Sequence, residues 1–140
     1  MCKASSRGYM ILRPDSRGLH AARGRMRDVF MQLRLAEDDA GGLLIAVGEA
    51  ISNAYLHGTC GRESDVIRLG WSWTGDQLTI TVKDNGNGLP NSARFCPSGR
   101  RGSLAHGIEL MRAGVDEVGF SHGHGAKVVL IKRLNSASSA

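Results

Sequence analysis

Ala46-Val47-Gly48-Glu49-Ala50-Ile51-Ser52-Asn53-Ala54-Tyr55-Leu56-His57-Gly58 places three polar residues, Glu49, Asn53 and His57, four apart. At about 100° per residue a step of four drifts by only about 40°, so in a helix the three share one ridge. Val47, Ile51 and Ala54 fall on another side, which predicts a helix apolar toward a sheet and polar toward something else. Asparagine is a poor helix former, and Asn53 in mid-helix needs a reason to be there. A solvated face would more naturally carry Lys, Arg and Glu, yet read alone the ridge also fits an ordinary exposed polar face.

Working outward, Glu37-Asp38-Asp39 opens this helix with negative charge at its N-terminus, and Gly58 closes it. Upstream, Tyr9-Met10-Ile11-Leu12 reads as a short edge strand. Asp15 or Ser16 then caps a first helix running to about Leu35, with Leu19, Ala22, Met26, Val29, Phe30 and Leu33 as its apolar stripe. Downstream, Val66 to Trp73 and Leu78 to Val82 alternate as strands around a Thr74-Gly75-Asp76-Gln77 turn. Residues 85–107 have no clear period and hold Gly86, Gly88, Gly99, Gly102 and Gly107 with Pro90 and Pro97, the mark of a functional loop. Ile108 to Arg112 reads as a helix stopped near Gly114, followed by closing strands from Val115 to Phe120 and Ala126 to Leu134. Residues 135–140 form a low-complexity tail. The expected architecture is α+β, a two-layer sandwich with helices on one face of a mostly antiparallel sheet, in a single domain over residues 1–140.

Its 140 residues are 41% hydrophobic and 22% charged, a globular balance that excludes a disordered chain. The three cysteines, Cys2, Cys60 and Cys96, match no metal-ligand spacing and suit a reducing cytoplasm. No apolar signal core and no membrane-length stretch is present, so a cytoplasmic protein without a membrane role is expected. The net charge of +5 is concentrated: residues 1–34 carry Lys3 and seven arginines against Asp15 and Asp28, and the remainder is close to neutral. With only Tyr9 and Phe30 near the basic residues, the pattern favours a protein partner over direct nucleic-acid binding, with a merely solvated face as the alternative.

Three further stretches bear on chemistry. Lys83-Asp84-Asn85-Gly86-Asn87-Gly88 leaves a strand and reads either as a hairpin turn or as a ligand turn. In the second reading an aspartate accepts a hydrogen bond from an exocyclic amine while glycines admit a flat ring. Gly102-Ser103-Leu104-Ala105-His106-Gly107 leads into a helix, a ready anion site built from free N–H groups and the helix dipole. Gly123-His124-Gly125-Ala126 precedes the last strand and fits a plain turn equally well. His106, His122 and His124 lack acidic or cysteine partners at ligand spacing, so no metal site of their own is expected.

Together the four stretches resemble the GHKL (Bergerat-fold) ATPases. Residues 46–58 are similar to that superfamily's N box, DNGNG at 84–88 to its first glycine box, AHGIELM at 105–111 to its second, and HGAKVVLIK at 124–132 to its closing strand. The resemblance runs over roughly residues 43–133, and the N-terminal strand and helix are similar to the small anti-sigma factors with serine-kinase activity. It implies ATP and Mg²⁺ as ligands. Asn53 would meet Mg²⁺ through its amide oxygen, Glu49 would be the general base, and Asp84 would take the adenine amino group, with Gly86 and Gly88 allowing close approach. Residues 89–106 would form a lid, Gly107 with the N–H groups around it would hold phosphate, and Arg101, Ala105, His106 and Ala126 would line the nucleotide. His57 would be a pocket wall or a cap on terminal carbonyls. Arg23, in the pair Ala22-Arg23, would contact protein partners. The chain departs from the family at Ala105, where the second glycine box usually opens with glycine, and at Ala126, where threonine is usual. Arg100 and Arg101 sit slightly off the position of the family's phosphate arginine.

The resemblance therefore implies an anti-sigma factor that phosphorylates a serine of an antagonist protein and regulates transcription by exchanging partners. Its partners would be a sigma factor and that antagonist, and a homodimer is left open. The alternative is a nucleotide-binding partner-switch module with little or no kinase activity, which Ala105 and Ala126 favour and an intact Glu49 disfavours.

Overall fold

The computed structural model describes residues 6–58, 65–85, 101–123 and 125–134, with the backbone alone at 56–58, 101–106 and 122–123. Its elements run β1 (Ser6–Leu12), α1 (Ser16–Gln32), α2 (Glu37–Gly58), β2 (Ile67–Trp73), β3 (Gln77–Asp84), α3 (Arg101–Gly114), β4 (Glu117–Gly123) and β5 (Gly125–Arg133). The strands form one sheet in the order β1-β2-β3-β5-β4, every neighbouring pair antiparallel. This is the expected α+β sandwich, with three helices on the sheet.

Strand alternation decides which face the helices cover. Ile67, Leu69, Trp71 and Trp73 of β2 and Leu78, Ile80 and Val82 of β3 are buried, while their neighbours Arg68, Gly70, Thr79 and Thr81 belong to the other face. Against them pack Ala22, Met26, Val29 and Phe30 of α1 and Leu43, Ala46, Val47, Ala50 and Ile51 of α2. The period of two carries on past the apolar run, so Asp84 is the fourth inward position of β3 and is 2% exposed. A carboxylate thus sits at the core end of a strand. Lys132 of β5 reaches Asp39 in the first turn of α2, 3.5 Å away, tying that helix start to the sheet. Among the described residues no helix is long and apolar enough to cross a membrane.

The helix starts follow their caps. Asp15 is extended, and its Oδ1 accepts from Gly18 N–H at 2.9 Å, so it is the cap rather than Ser16. The end of α1 comes earlier than the apolar stripe suggests. Leu35 N–H bonds to Phe30 C=O at 3.1 Å and Arg34 N–H to Met31 C=O at 3.0 Å, a Schellman closure around Arg34 at φ 58°. Glycine normally fills that left-handed position, since a Cβ there costs roughly 1–2 kcal/mol. Arg34→Gly is therefore expected to stabilise the fold by about 0.5–1 kcal/mol after the extra freedom of the unfolded glycine is counted. Urea unfolding reads this directly, and an unchanged or lower midpoint would remove the strain argument.

The third helix corrects an expectation. It starts at Arg101, so residues 101–106, read as the end of the loop, are helical, and Gly107 lies inside the helix instead of ahead of it. Its N–H is then taken up by the helix ladder and is unavailable to an anion. Residues 89–100 lie outside the described residues.

Candidate functional site

Two close approaches seat α3 on α2. A Cβ built on Gly114 would lie 2.2 Å from the carbonyl oxygen of Gly42, a separation that no side chain tolerates, so glycine there lets the two backbones touch. Seven residues earlier on α3, a Cβ on Gly107 would lie 3.0 Å from Glu49 Oε1, 3.1 Å from Asn53 Nδ2 and 3.3 Å from Asn53 Oδ1. The start of α2 meets the end of α3, and the middle of α2 meets Gly107, so the helices run antiparallel. The ridge and the second glycine box are thereby brought together, with glycine leaving room for the Glu49 carboxylate and the Asn53 amide to converge.

Asn53 is 8% exposed, and among the described residues its Nδ2 has no hydrogen-bond partner. Leaving a buried amide unsatisfied costs on the order of 1–3 kcal/mol, and such a group in a native fold needs an explanation. Its nitrogen and oxygen can exchange places by a flip about the last side-chain bond. A bound cation or phosphate would answer it, and the Asn53 amide oxygen suits an oxygen-seeking Mg²⁺ that keeps several waters and leans on phosphate oxygens. The residues present therefore fit the Mg-nucleotide that the resemblance implies.

The second cluster joins β3 to β5. Asp84 Oδ1 accepts from Ala126 N–H at 3.2 Å, which fixes the carboxylate at the strand end. Ala126 serves through its backbone, so the threonine hydroxyl usual at that position is not needed for this contact. Asn85 follows, its Oδ1 accepting from Val66 N–H at 2.9 Å and holding the chain entering β2.

The other predicted positions divide as follows. His57 falls in the last turn of α2, and Arg101, Ala105 and His106 in the first turns of α3, with side chains outside the described residues. Gly86 and Gly88 lie outside the described residues altogether. Arg23 is exposed on α1, as expected, but it does more than face solvent. Its guanidinium covers Gly48 of α2, where a Cβ would come within 2.8 Å of Nη2. Sequence reasoning passed over Gly42 and Gly48 and read Gly114 only as a helix stop, whereas each matters for the side chain it lacks. The one available signal was the seven-residue interval from Gly107 to Gly114, two helical turns on one face.

Comparisons with known proteins identify relatives of the chain. The family described as the histidine kinase-like ATPase domain matches residues 12–132. The chain is 31% identical over 116 residues to the anti-sigma F factor of Clostridium beijerinckii, covering 76% of this chain and 80% of the relative. It is 34% identical over 100 residues to the anti-sigma F factor of Clostridium perfringens, covering 65% and 70%. Among solved structures, that of the RsbU and RsbW domains of Rv1364c from Mycobacterium tuberculosis shares the fold, with a TM-score of 0.70 at 20% identity. The match covers 92% of this chain and 32% of that one.

Proposed function

The chain belongs to the histidine kinase-like ATPase domain family, alongside the anti-sigma factors, and from that premise we propose that it is an ATP-dependent serine kinase and anti-sigma factor. The observation that carries the reading is the meeting of Glu49 and Asn53 over Gly107, with a buried amide left unanswered. In this reading Asp84, oriented by Ala126 N–H, accepts from the adenine amino group. Asn53 would hold Mg²⁺ through its amide oxygen. Bound Mg²⁺ supplies neutralisation of the phosphate charge. Glu49 takes the proton of the acceptor serine as its Oγ bonds to the terminal phosphorus and the bond from that phosphorus to the bridging oxygen of ADP breaks. His57, Gly86, Gly88, Arg101, Ala105 and His106 complete the nucleotide site in this proposal. Arg23 holds protein partners, a sigma factor in one state and the antagonist in the other, and the protein works in the cytoplasm.

A second reading, a nucleotide-binding switch without transfer, draws on Ala105 and Ala126, where the chain departs from the residues usual in the family. One experiment separates them. Purified protein with Mg-ATP labelled in the terminal phosphate is incubated with each small antagonist protein from the same genome. Label on an antagonist serine supports the kinase, whereas tight ATP binding with no label on any of them supports the switch.

Gly107 supplies an independent check. Gly107→Ala adds a Cβ where Glu49 and Asn53 converge, and displacing groups by a fraction of an ångström is expected to lower phosphoryl transfer by roughly 10- to 100-fold. Alanine is also the better residue inside a helix by about 1 kcal/mol, so thermal stability is expected to hold or rise. Transfer kept at the wild-type rate would remove Gly107 from the site.

A further inference from the structure

We infer that Asn85 is a positioning residue for recognition of the nucleotide's base: its side chain stands in for a rung of the sheet, so that the chain can leave β3 directly after Asp84 while that carboxylate stays fixed. The inference rests on the nucleotide reading above and deepens it. β2 and β3 pair from Trp73 with Leu78 to Ile67 with Asp84, and the next pair in line would be Val66 with Asn85. In an antiparallel ladder bonded and non-bonded pairs alternate, and the N–H of a bonded pair meets the backbone carbonyl opposite. Val66 N–H meets the side-chain Oδ1 of Asn85 instead, at 2.9 Å. The donor of β2 is thereby satisfied without the backbone of Asn85. β3 accordingly ends at Asp84, one residue before the glycines of the first glycine box begin.

Asp84 thus stands between two ties. On one side Ala126 N–H of β5 donates to its Oδ1 at 3.2 Å, and on the other the next residue clips the chain to β2. The clip matters because Asp84 is the last ladder residue of β3, and the ends of elements open first. Its anchor is firm. Val66 lies between Asp65 and Ile67, which are 1% and 0% exposed, so the donor that Asn85 grips belongs to a stretch seated in the core. Asparagine suits the task, since its short side-chain amide presents an oxygen much like that of a peptide carbonyl. A residue with no acceptor there would leave Val66 N–H to water and Asp84 at a loose strand end.

The test uses the full chain as Asn85→Ala and Asn85→Asp, with Mg-ATP and Mg-GTP as probes. Aspartate keeps the oxygen and, like alanine, lacks the amide nitrogen, so comparing the two variants isolates Oδ1. Amide hydrogen exchange at Val66 reads the clip itself. Protection is expected to fall on the order of 10-fold in Asn85→Ala and to stay near wild type in Asn85→Asp. Calorimetry reads the consequence. Mg-ATP is expected to bind Asn85→Ala on the order of 5-fold more weakly, the scale of one neutral hydrogen bond. The preference for ATP over GTP narrows with it, because guanine has no bond to Asp84 to lose. In Asn85→Asp the added negative charge faces both nucleotides alike, so the preference is kept even where both affinities fall. Unchanged exchange at Val66 in Asn85→Ala overturns the clip. Lost protection or a lowered Tm with the ATP preference of wild type overturns the positioning role and leaves the adenine reading of Asp84 standing. An Asn85→Asp variant that loses the preference as fully as Asn85→Ala overturns it too. If the wild type itself does not prefer ATP, the adenine reading falls and takes the role of Asn85 with it.

Discussion

Glu49→Gln is expected to keep Mg-ATP affinity within a few-fold of wild type while lowering phosphoryl transfer by about 10²–10⁴, the usual worth of a general base. Glutamine has the same shape, so the side chain can still lie against Gly107, but its amide cannot take the proton of an attacking hydroxyl. Asn53→Ala separates the other role. It removes the amide proposed to meet Mg²⁺, so Mg-ATP affinity itself falls. Removing a buried amide whose nitrogen has no partner among the described residues is also expected to leave the free protein as stable or about 1 kcal/mol more stable. A residue whose loss stabilises the fold and weakens the ligand is kept for the ligand. Calorimetric titration with Mg-ATP, single-turnover transfer and thermal unfolding of the two variants measure all three quantities. If both lose nucleotide equally, the division of labour between Glu49 and Asn53 is wrong.

What the sequence made legible was whatever repeats with the period of an element. The spacing of four from Glu49 to His57 identified the polar ridge of α2, and the alternation of β2 and β3 identified the strands. That alternation also contained more than was drawn from it. Leu78, Ile80, Val82 and Asp84 are every second residue, which already puts the aspartate on the covered face. The start of α3 was obscured because Gly102 and Gly107 look like loop residues. Yet Leu104, Ile108, Met111 and Val115 follow one another at helical spacing, and Met111 and Val115 are buried. Here tertiary packing overrides local propensity: the glycine that weakens the helix lets it approach Glu49 and Asn53.

Two features had no period to read. Arg34 in a left-handed conformation closes α1 where glycine or asparagine is the usual signal, so the helix end at Gln32 was placed too late. The contacts of Gly114 with Gly42, and of Arg23 with Gly48, depend on the packing of residues far apart in the chain. The absence of a side chain has meaning only once the neighbour that uses the space is known. The resemblance to the ATPases found the chemical residues, whereas the glycines that seat them came from the coordinates.

Asp84→Asn is the variant expected to act on the base of the nucleotide. Asp84 is 2% exposed, and one of its oxygens is held by Ala126 N–H. Asparagine has the same shape and can preserve that bond through its own oxygen, so the pocket is expected to keep its form. What changes is the charge, and the NH₂ group that replaces the second oxygen is a donor facing the adenine amino group, another donor. Losing a charge-assisted contact of about 1.5–3 kcal/mol corresponds to a roughly 10- to 100-fold weaker ATP affinity. The same logic fixes the response to guanine, which presents a carbonyl where adenine carries its amine. Wild type is expected to bind GTP poorly, because two acceptors would face each other. In the Asp84→Asn variant the new amide donates to that carbonyl, so the preference for ATP over GTP narrows from both sides. Calorimetry of the two nucleotides on the two proteins supplies four affinities and one decisive ratio. Equal ATP and GTP affinity in the wild type, or an unchanged ratio in the variant, removes Asp84 from the adenine and leaves it a structural role.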